Sequence, residues 1–405
     1  MVAGVICELN PLHNGHAYLF RKIHEDGCAV VACMSGHFTQ RGEAAVFDKY
    51  TRTRMALAAG ADLVLELPVT YACAGAERFA FGGVYALQGL GCVDYLYCGS
   101  ESADTSRILQ TAQAVMEPAV DTALRAYLCE GITYAAAREK AIRQVYGEDM
   151  AAVLTTPNDI LAVEYAKALT RLHGSIQLRT VRRTTTHDGD TPTGSFASAS
   201  YLRQLIVQGQ DTTAYMPPST AGLLTEAAGA LDGDRGQVME RMLLYRLRTM
   251  TREELAALPD ISEGLENRLY EAIRSCTSVQ DILSFTKSKR YTRARLRRLL
   301  LYAFLSLTRK DFQPLPPYIQ VLGFNPRGQT ILRQAKQTAT LPLLTRYADT
   351  AVLSDEARQY YALTARCDDC YALTGKTVLP CGQTQRSGVI ISKYLPEEDI
   401  PEKTN

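Results

Sequence analysis

Residues 6–19 read Ile6-Cys7-Glu8-Leu9-Asn10-Pro11-Leu12-His13-Asn14-Gly15-His16-Ala17-Tyr18-Leu19. They overlap an apolar, β-branched run at residues 2–8, which is typical of a strand, and a stretch with helical spacing at residues 15–25. A second apolar run follows at residues 29–34. The histidine-containing turn is therefore predicted to join strand to helix in a βαβ unit.

The same alternation continues along the chain. Further strands are predicted at residues 62–67, 95–98 and 175–181, with helices at 51–59, 77–87 and 158–169 between them. Strands that alternate with helices indicate an α/β fold with a doubly wound parallel sheet. In such sheets ligands bind beyond the carboxyl ends of the strands, which directs attention to residues 10–16, 35–43 and 99–101.

The length of 405 residues exceeds what one hydrophobic core usually covers. Met216-Pro217-Pro218-Ser219 interrupts the pattern, and residues 223–308 beyond it are predominantly helical. We therefore predict an α/β domain over residues 1–217 and a mainly helical domain over residues 218–405.

The composition excludes several classes of protein. Hydrophobic residues make up 46% and charged residues 21%, which argues against disordered and fibrous proteins. No apolar run is long enough to span a membrane, and the 11 scattered cysteines are typical of reduced thiols, so we expect a cytoplasmic protein. The formal net charge is +1, so a nucleic-acid surface would have to be a local patch.

His13 and His16 are the strongest functional signal. Their spacing places both rings on the first turn of a helix, where free N–H groups and the positive end of the helix dipole favour anions. Four of the six histidines, His13, His16, His24 and His37, fall within the first 37 residues. We interpret His13 and His16 as phosphate-binding, charge-stabilising residues of a nucleotide site; the alternative is two incidental histidines at a helix start.

Ser198-Ala199-Ser200-Tyr201-Leu202-Arg203 forms a second signal. It is close to the SSTxxR pattern with which nucleotidyltransferases hold the β- and γ-phosphates of a nucleotide. Ser198, Ser200 and Arg203 are therefore predicted to bind the leaving pyrophosphate. The simpler alternative is an ordinary serine N-cap.

A basic stretch is the candidate nucleic-acid surface. Between Thr286 and Lys310 there are nine Lys or Arg residues and no acid. Leu296, Leu300 and Leu307 would form the buried stripe of a helix, with a basic face turned to solvent. The predicted RNA contacts are Lys289, Arg290, Arg293, Arg297 and Arg298.

Several of these motifs resemble those of the bacterial tRNA(Met) cytidine acetate ligases. The resemblance rests on residues 8–16, 34–43, 48–49, 60–68, 99–101, 157–161, 289–292 and 321–324. It implies an HxGH-type nucleotidyltransferase fold and an ATP site made of residues 6–19, Gly99, Asn158 and Arg183. It also implies an enzyme that activates acetate with ATP as acetyl adenylate and acetylates N4 of the wobble cytidine of elongator tRNA(Met).

Two other readings of the function stay open. One is an adenylyltransferase that acts on a small metabolite, which would not need the basic stretch. The other is a noncatalytic RNA-binding protein that keeps a degenerate nucleotide pocket. Arg41 could hold the acetate carboxylate or could pair with neighbours to fix its own loop, and Asp48, Lys49 and Arg52 could form a surface ion-pair cluster.

Metal binding has weak support in the sequence. ATP usually brings Mg²⁺, but no carboxylate cluster demands it. Cys367, Cys370 and Cys381 provide three thiols without a nearby histidine, so we predict no structural metal.

Overall fold

The computed structural model describes residues 1–183, 192–230, 235–262, 264–288, 291–312 and 315–393. The strands are β1 (Val2–Cys7), β2 (Ala29–Ser35), β3 (Leu63–Leu67), β4 (Tyr95–Ser100), β5 (Gln177–Arg182), β6 (Ile319–Phe324), β7 (Leu343–Leu344) and β8 (Ile390–Ile391). The helices of the first half are α1 (Asn14–Glu25), α2 (Lys49–Ala58), α3 (Val69–Ala72), α4 (Ala76–Gly89), α5 (Thr105–Ala114), α6 (Pro118–Cys129), α7 (Tyr134–Tyr146), α8 (Glu148–Ala152), α9 (Pro157–Leu172) and α10 (Ala199–Val207).

The second half is mainly helical. Its helices are α11 (Ala221–Ala230), α12 (Arg235–Thr249), α13 (Arg252–Ala256), α14 (Leu265–Ser275), α15 (Val279–Thr286), α16 (Arg293–Phe304), α17 (Pro326–Thr338), α18 (Asp355–Ala372) and α19 (Gln383–Arg386). Short 3-10 helices lie at Val153–Thr155, Thr213–Tyr215, Pro218–Thr220, Arg309–Asp311 and Tyr347–Val352. No helix within the described ranges is both long and apolar enough to cross a membrane.

The sheet confirms the predicted α/β class. Its order is β5-β4-β1-β2-β3-β6-β7, and the five strands from β5 to β3 are all parallel. The strand order reverses at β1, because β2 lies on one side of β1 and β4 on the other. The turn after β1 therefore opens at the switch point, where ligands bind in sheets of this kind.

Apolar side chains cover both faces of the sheet. On one face Ile6, Val31 and Leu65 pack with α4 and α9, and on the other Val5 and Val30 pack with α1 and α2. A third cluster fills the helical layer of α12–α16 and includes Phe38 from the loop after β2. This loop, residues 36–45, is thus anchored in the helical layer as well as in the sheet.

The C-terminal part also joins the sheet. β6 pairs antiparallel with β3, and β7 and β8 pair with β6. These strands were not predicted from the sequence. The division of the chain at residue 217 stays a prediction, and the sheet itself draws strands from both sides of it.

A buried charge cluster replaces the predicted surface ion pairs. Lys49 and Arg52 are both completely buried. The Lys49 ammonium donates to both carboxylate oxygens of Glu66, at 2.9 and 2.8 Å, and to Asp368 of α18 at 2.7 Å. Burial alone would lower the pKa of Lys49, but the two carboxylates raise it well above its usual value. The surface expectation was wrong because the C-terminal helix α18 covers this side of the sheet.

Lys49→Met should destabilise the protein by about 3–5 kcal/mol, because it leaves two carboxylates buried without their cation. Urea denaturation would measure the loss. Lys140→Met is the matched control, since Lys140 lies on the surface of α7, about 4.0 Å from Glu130, and should change the free energy of unfolding by less than about 0.5 kcal/mol. A similar small effect for Lys49→Met would show that the buried cluster does not stabilise the fold.

Candidate active site

The turn after β1 places two histidine rings at the start of α1. His13 is the N-cap residue, and its Nδ1 accepts a hydrogen bond from the Gly15 N–H at 3.1 Å. In return His16 Nδ1 accepts from the His13 N–H at 3.2 Å. This is a reciprocal capping box made of imidazoles. A Cβ on residue 15 would lie 2.9 Å from the His13 ring, so Gly15 is needed for the cap itself.

The caps determine which nitrogen of each ring carries the proton. Because both Nδ1 atoms accept from backbone N–H groups, each neutral ring must hold its proton on Nε2. Burial lowers the pKa of His13 well below its usual value, with smaller effects from His16 and Arg183. Burial and then Arg183 lower the pKa of His16 to about 3. Both rings are therefore neutral at pH 7 and offer Nε2–H donors.

A cavity of about 150 Å³ lies against these rings, at the carboxyl ends of β1, β4 and β5. Much of its wall is apolar, and the polar side chains on it are those of His13, His16, Tyr18, Asn158, Tyr165, Arg182 and Arg183. Its lining is Val5, Ile6, Cys7, His13, Gly15, His16, Tyr18, Leu19, Cys98, Gly99, Asn158, Leu161, Tyr165, Val181, Arg182, Arg183, Phe196 and Ala197. An apolar slot that ends in N–H donors suits a nucleotide, with the base in the slot and the phosphates at the donors.

Most of the predicted nucleotide residues meet at this cavity. Those on its wall are Ile6, Cys7, His13, Gly15, His16, Tyr18, Leu19, Gly99, Asn158 and Arg183. Six others of the range 6–19 are buried in the turn or in the core: Leu9, Asn10, Pro11, Leu12, Asn14 and Ala17. Glu8 is only half-buried and accepts from the Gln40 N–H at 2.7 Å.

Some wall residues were not predicted. Leu161 and Tyr165 lie three and seven residues after Asn158 on α9, so helical spacing could have revealed them. Phe196 comes from the segment before α10, and no pattern in the sequence marks it.

The predicted pyrophosphate residues form a cluster beside the cavity. Arg203 donates to the Asn10 carbonyl at 2.8 Å and to Ser200 Oγ at 3.2 Å, and its Nε lies 3.3 Å from Glu43. Arg41 also donates to Ser200 Oγ, at 2.9 Å. Ser198 caps α10 by accepting from the Tyr201 N–H, which is the ordinary N-cap role.

The basic helix α16 differs from the expectation. Leu296, Leu300 and Leu307 are buried as predicted. Arg293 is exposed, but Arg297 and Arg298 are half-buried rather than turned to solvent. The loop 36–45 covers them, since a Cβ on Gly42 would lie 2.6 Å from the Arg297 and Arg298 backbone.

Two other residues of this stretch, Arg295 and Tyr291, contact the rest of the protein. Arg295 donates to the Asp260 carbonyl at 2.6 Å, so part of its guanidinium is occupied. Tyr291 is buried and donates to the Ser262 carbonyl at 2.7 Å, so it packs in the protein. Lys289 and Arg290 lie outside the described residues.

In the part of the chain that the structure describes, no three or more His, Cys, Asp or Glu side chains are arranged to hold a metal ion.

Comparisons with known proteins define the class first. A family model described as HIGH Nucleotidyl Transferase matches residues 1–386. The crystal structure of Thermotoga maritima TmcAL in its apo form superposes with a TM-score of 0.89 at 28% identity, covering 97% of this chain and 100% of that one. The same protein bound with alpha-thio ATP gives a TM-score of 0.87 at 28% identity over the same shares. The chain is thus a nucleotidyltransferase of the HIGH class.

Sequence relatives identify the family within this class. A tRNA(Met) cytidine acetate ligase of Caldanaerobacter subterraneus subsp. tengcongensis is 39% identical over 368 residues, which is 88% of this chain and 91% of the relative. One of Caldicellulosiruptor saccharolyticus is 38% identical over 386 residues, 92% of this chain and 94% of the relative. The chain belongs to the tRNA(Met) cytidine acetate ligase family. The predicted family, fold class, ATP binding and ligase class are confirmed.

The neutral state of His16 is open to measurement. We expect its ring carbon resonance, followed by NMR on ¹³C-histidine-labelled protein and assigned with His16→Gln, to stay constant from pH 8 to 5. Since an unfolded histidine titrates near 6.5, the stability that this ring contributes is present above pH 6.5 and is lost as pH falls towards about 3. An inflection near pH 6.5 would contradict the neutral, capped ring.

Proposed function

We propose that this protein activates acetate with ATP and transfers the acetyl group to N4 of the wobble cytidine of elongator tRNA(Met). In the first step a carboxylate oxygen of acetate attacks the α-phosphorus of ATP and pyrophosphate leaves. In the second the exocyclic amine attacks the carbonyl carbon of acetyl adenylate, loses a proton, and AMP leaves. The observation that carries the proposal is the pair of fixed Nε2–H donors at the cavity, in a chain of this family.

His13 and His16 would bind the phosphoryl oxygens as the α-phosphorus inverts. Two neutral rings donate hydrogen bonds without taking or giving up a proton, so their role is electrostatic. The caps hold both donors in place before the nucleotide arrives, and such preorganisation is what makes donors effective in a transition state.

Ser200 and Arg203, together with Ser198, would hold the leaving pyrophosphate. Arg203 is close enough to the cavity to contribute to lowering the pKa of His13, which supports this assignment. Its own pKa is lowered by burial, against the opposing effect of Glu43. Arg41 donates to Ser200. This contact favours a role of Arg41 in fixing its own loop over a role in binding acetate. Mg²⁺ stays a prediction, and no step is assigned to it.

Acetate-dependent exchange of pyrophosphate into ATP tests the first step. His16→Ala should reduce this exchange by at least about 100-fold, the scale of losing a transition-state donor. His16→Glu should be as inactive, because a glutamate at this position can keep the capping box but places a negative charge beside the phosphates. An unchanged urea denaturation curve for His16→Ala would exclude a folding defect as the cause of its loss.

His24→Ala is the control on the same helix, because His24 contacts the Gly60 carbonyl at the far end of α1. It should exchange at the rate of the unmodified protein. Near-normal exchange in a folded His16→Ala variant would overturn the phosphoryl role.

The tRNA would contact the exposed start of α16. Arg293 is exposed there, and Arg297 lies one helical turn further, beside the loop 36–45. We propose these two residues and the neighbouring Arg298, with Lys289 and Arg290, as phosphate contacts. A metabolite adenylyltransferase would have no use for such a surface, and a noncatalytic RNA-binding protein would show no exchange activity.

Arg293→Gln should lower the slope of log affinity for tRNA against log salt by about 0.7–0.9, the effect of one lost phosphate contact. Filter binding at several salt concentrations would measure the slope. Acetate-dependent exchange should be unaltered, because Arg293 lies outside the cavity wall. Arg125→Gln, an exposed arginine of α6, is the control, and an unchanged slope for Arg293→Gln would place the tRNA elsewhere.

A further inference from the structure

The turn after β4 and the start of α9 bind each other through two carboxylates. Asp159 accepts hydrogen bonds from Ser100 Oγ and from the N–H groups of Glu101 and Ser102, both at 3.1 Å. In the other direction Glu101 accepts from the side-chain amide of Asn158 and from the Asp159 N–H at 3.1 Å. Five hydrogen bonds thus hold this wall of the cavity.

The contact with Glu101 determines how the Asn158 amide is oriented. An ionised carboxylate can only accept hydrogen bonds, so the Asn158 atom that faces Glu101 must be the NH₂ group. The Asn158 Oδ1 atom is then directed to the other side. Asn158 is half-buried and lines the cavity, and no described residue donates to its Oδ1. The cavity wall therefore carries a hydrogen-bond acceptor at this position.

The surroundings indicate which part of a ligand meets this acceptor. Leu161 and Tyr165, which follow Asn158 on α9, line the cavity with apolar surface, and His13 and His16 line the same cavity as N–H donors. In the proposed function the phosphates lie at the histidines, so the base would lie beside Leu161 and Tyr165. An acceptor such as Asn158 Oδ1 can pair with an exocyclic amino group, as in adenine. A base with a keto oxygen at that position would instead face Asn158 Oδ1 with a second acceptor.

We propose that Glu101 is a positioning residue that sets the choice of nucleobase, by holding Asn158 so that its Oδ1 accepts from the 6-amino group of adenine. The inference rests on the proposed function, in which a nucleotide occupies this cavity. Glu101 itself does not need to touch the nucleotide. It acts by excluding the flipped amide, which would present NH₂ and favour a 6-keto purine.

ATP and ITP form the sharpest pair of probes, because their bases differ in the amino or keto group at position 6. For the unmodified protein we expect kcat/KM of acetate-dependent exchange to favour ATP by about 10- to 100-fold, the scale of mispairing one buried hydrogen-bonding group. Glu101→Gln keeps only one acceptor oxygen. If that oxygen stays on the Asp159 N–H, the glutamine NH₂ faces Asn158 and favours the flipped amide. The preference for ATP should then fall to within about threefold or reverse in favour of ITP.

A structural role would give a different pattern. If Glu101 only stabilised the turn, Glu101→Gln would slow ATP and ITP equally and keep their ratio, and this result would overturn the proposal. Asn158→Ala should lose the preference as well, and adding Glu101→Gln to it should cause no further change in the ratio. Glu130→Gln, an exposed glutamate after α6, should keep the original ratio.

Binding provides a readout that needs no reaction. Calorimetric titration with ATP and with ITP should show the same preference in the unmodified protein and its loss in Glu101→Gln. If no acetate-dependent exchange occurred with either nucleotide, the proposed function would fail, while the binding ratio would still decide the role of Glu101. Equal binding of ATP and ITP by the unmodified protein would overturn the inference.

Discussion

The backbone N–H groups at the start of a helix have no partner within the helix, and here two histidine rings each accept a hydrogen bond from one N–H group at the start of α1. At the start of α1, His13 Nδ1 accepts from the Gly15 N–H and His16 Nδ1 accepts from the His13 N–H. Both Nδ1 atoms are therefore occupied, and both Nε2–H groups remain available to a ligand in the cavity. The ring centroids lie 3.8 Å apart, too close for two imidazolium cations to coexist without strong repulsion. Helix capping, tautomer, neutral charge and donor direction are therefore consequences of one local arrangement.

A second constraint joins distant parts of the chain. A lysine as buried as Lys49 has to be paired, and one of its partners, Asp368, lies 319 residues further on. The other, Glu66, lies on β3, whose neighbour β6 also comes from the C-terminal part. His37, in the loop after β2, binds the same Asp368 at 2.7 Å. The position of that loop therefore depends on the C-terminal helix α18.

The sequence predicted the elements whose signals are local. β1 to β5 and their helices alternate with clear periodicity, and the His13–His16 spacing pointed to the end of the sheet at which the cavity lies. β6 was not predicted because it pairs with β3, more than 250 residues earlier, and its place between β3 and β7 depends on that long-range pairing. Arg297 and Arg298 were expected in solvent because charges usually lie there. Only the approach of Gly42 reveals that a loop covers them.

The loop 36–45 contacts both the residues beside the cavity and helix α16, where tRNA is proposed to bind. Its Arg41 and Glu43 contact Ser200 and Arg203 beside the cavity, and its Gly42 packs on the backbone of α16. Gly42 has φ of +75°, a conformation that favours glycine, and a Cβ would also collide with the helix. Because the loop spans only ten residues and is anchored through Phe38 in the helical core, the spacing between the contacts at Ser200 and Arg203 and helix α16 is fixed. In the proposed function, a tRNA bound at the start of α16 would therefore stand at a set distance from the cavity, and this would limit the time in which an adenylate is open to water.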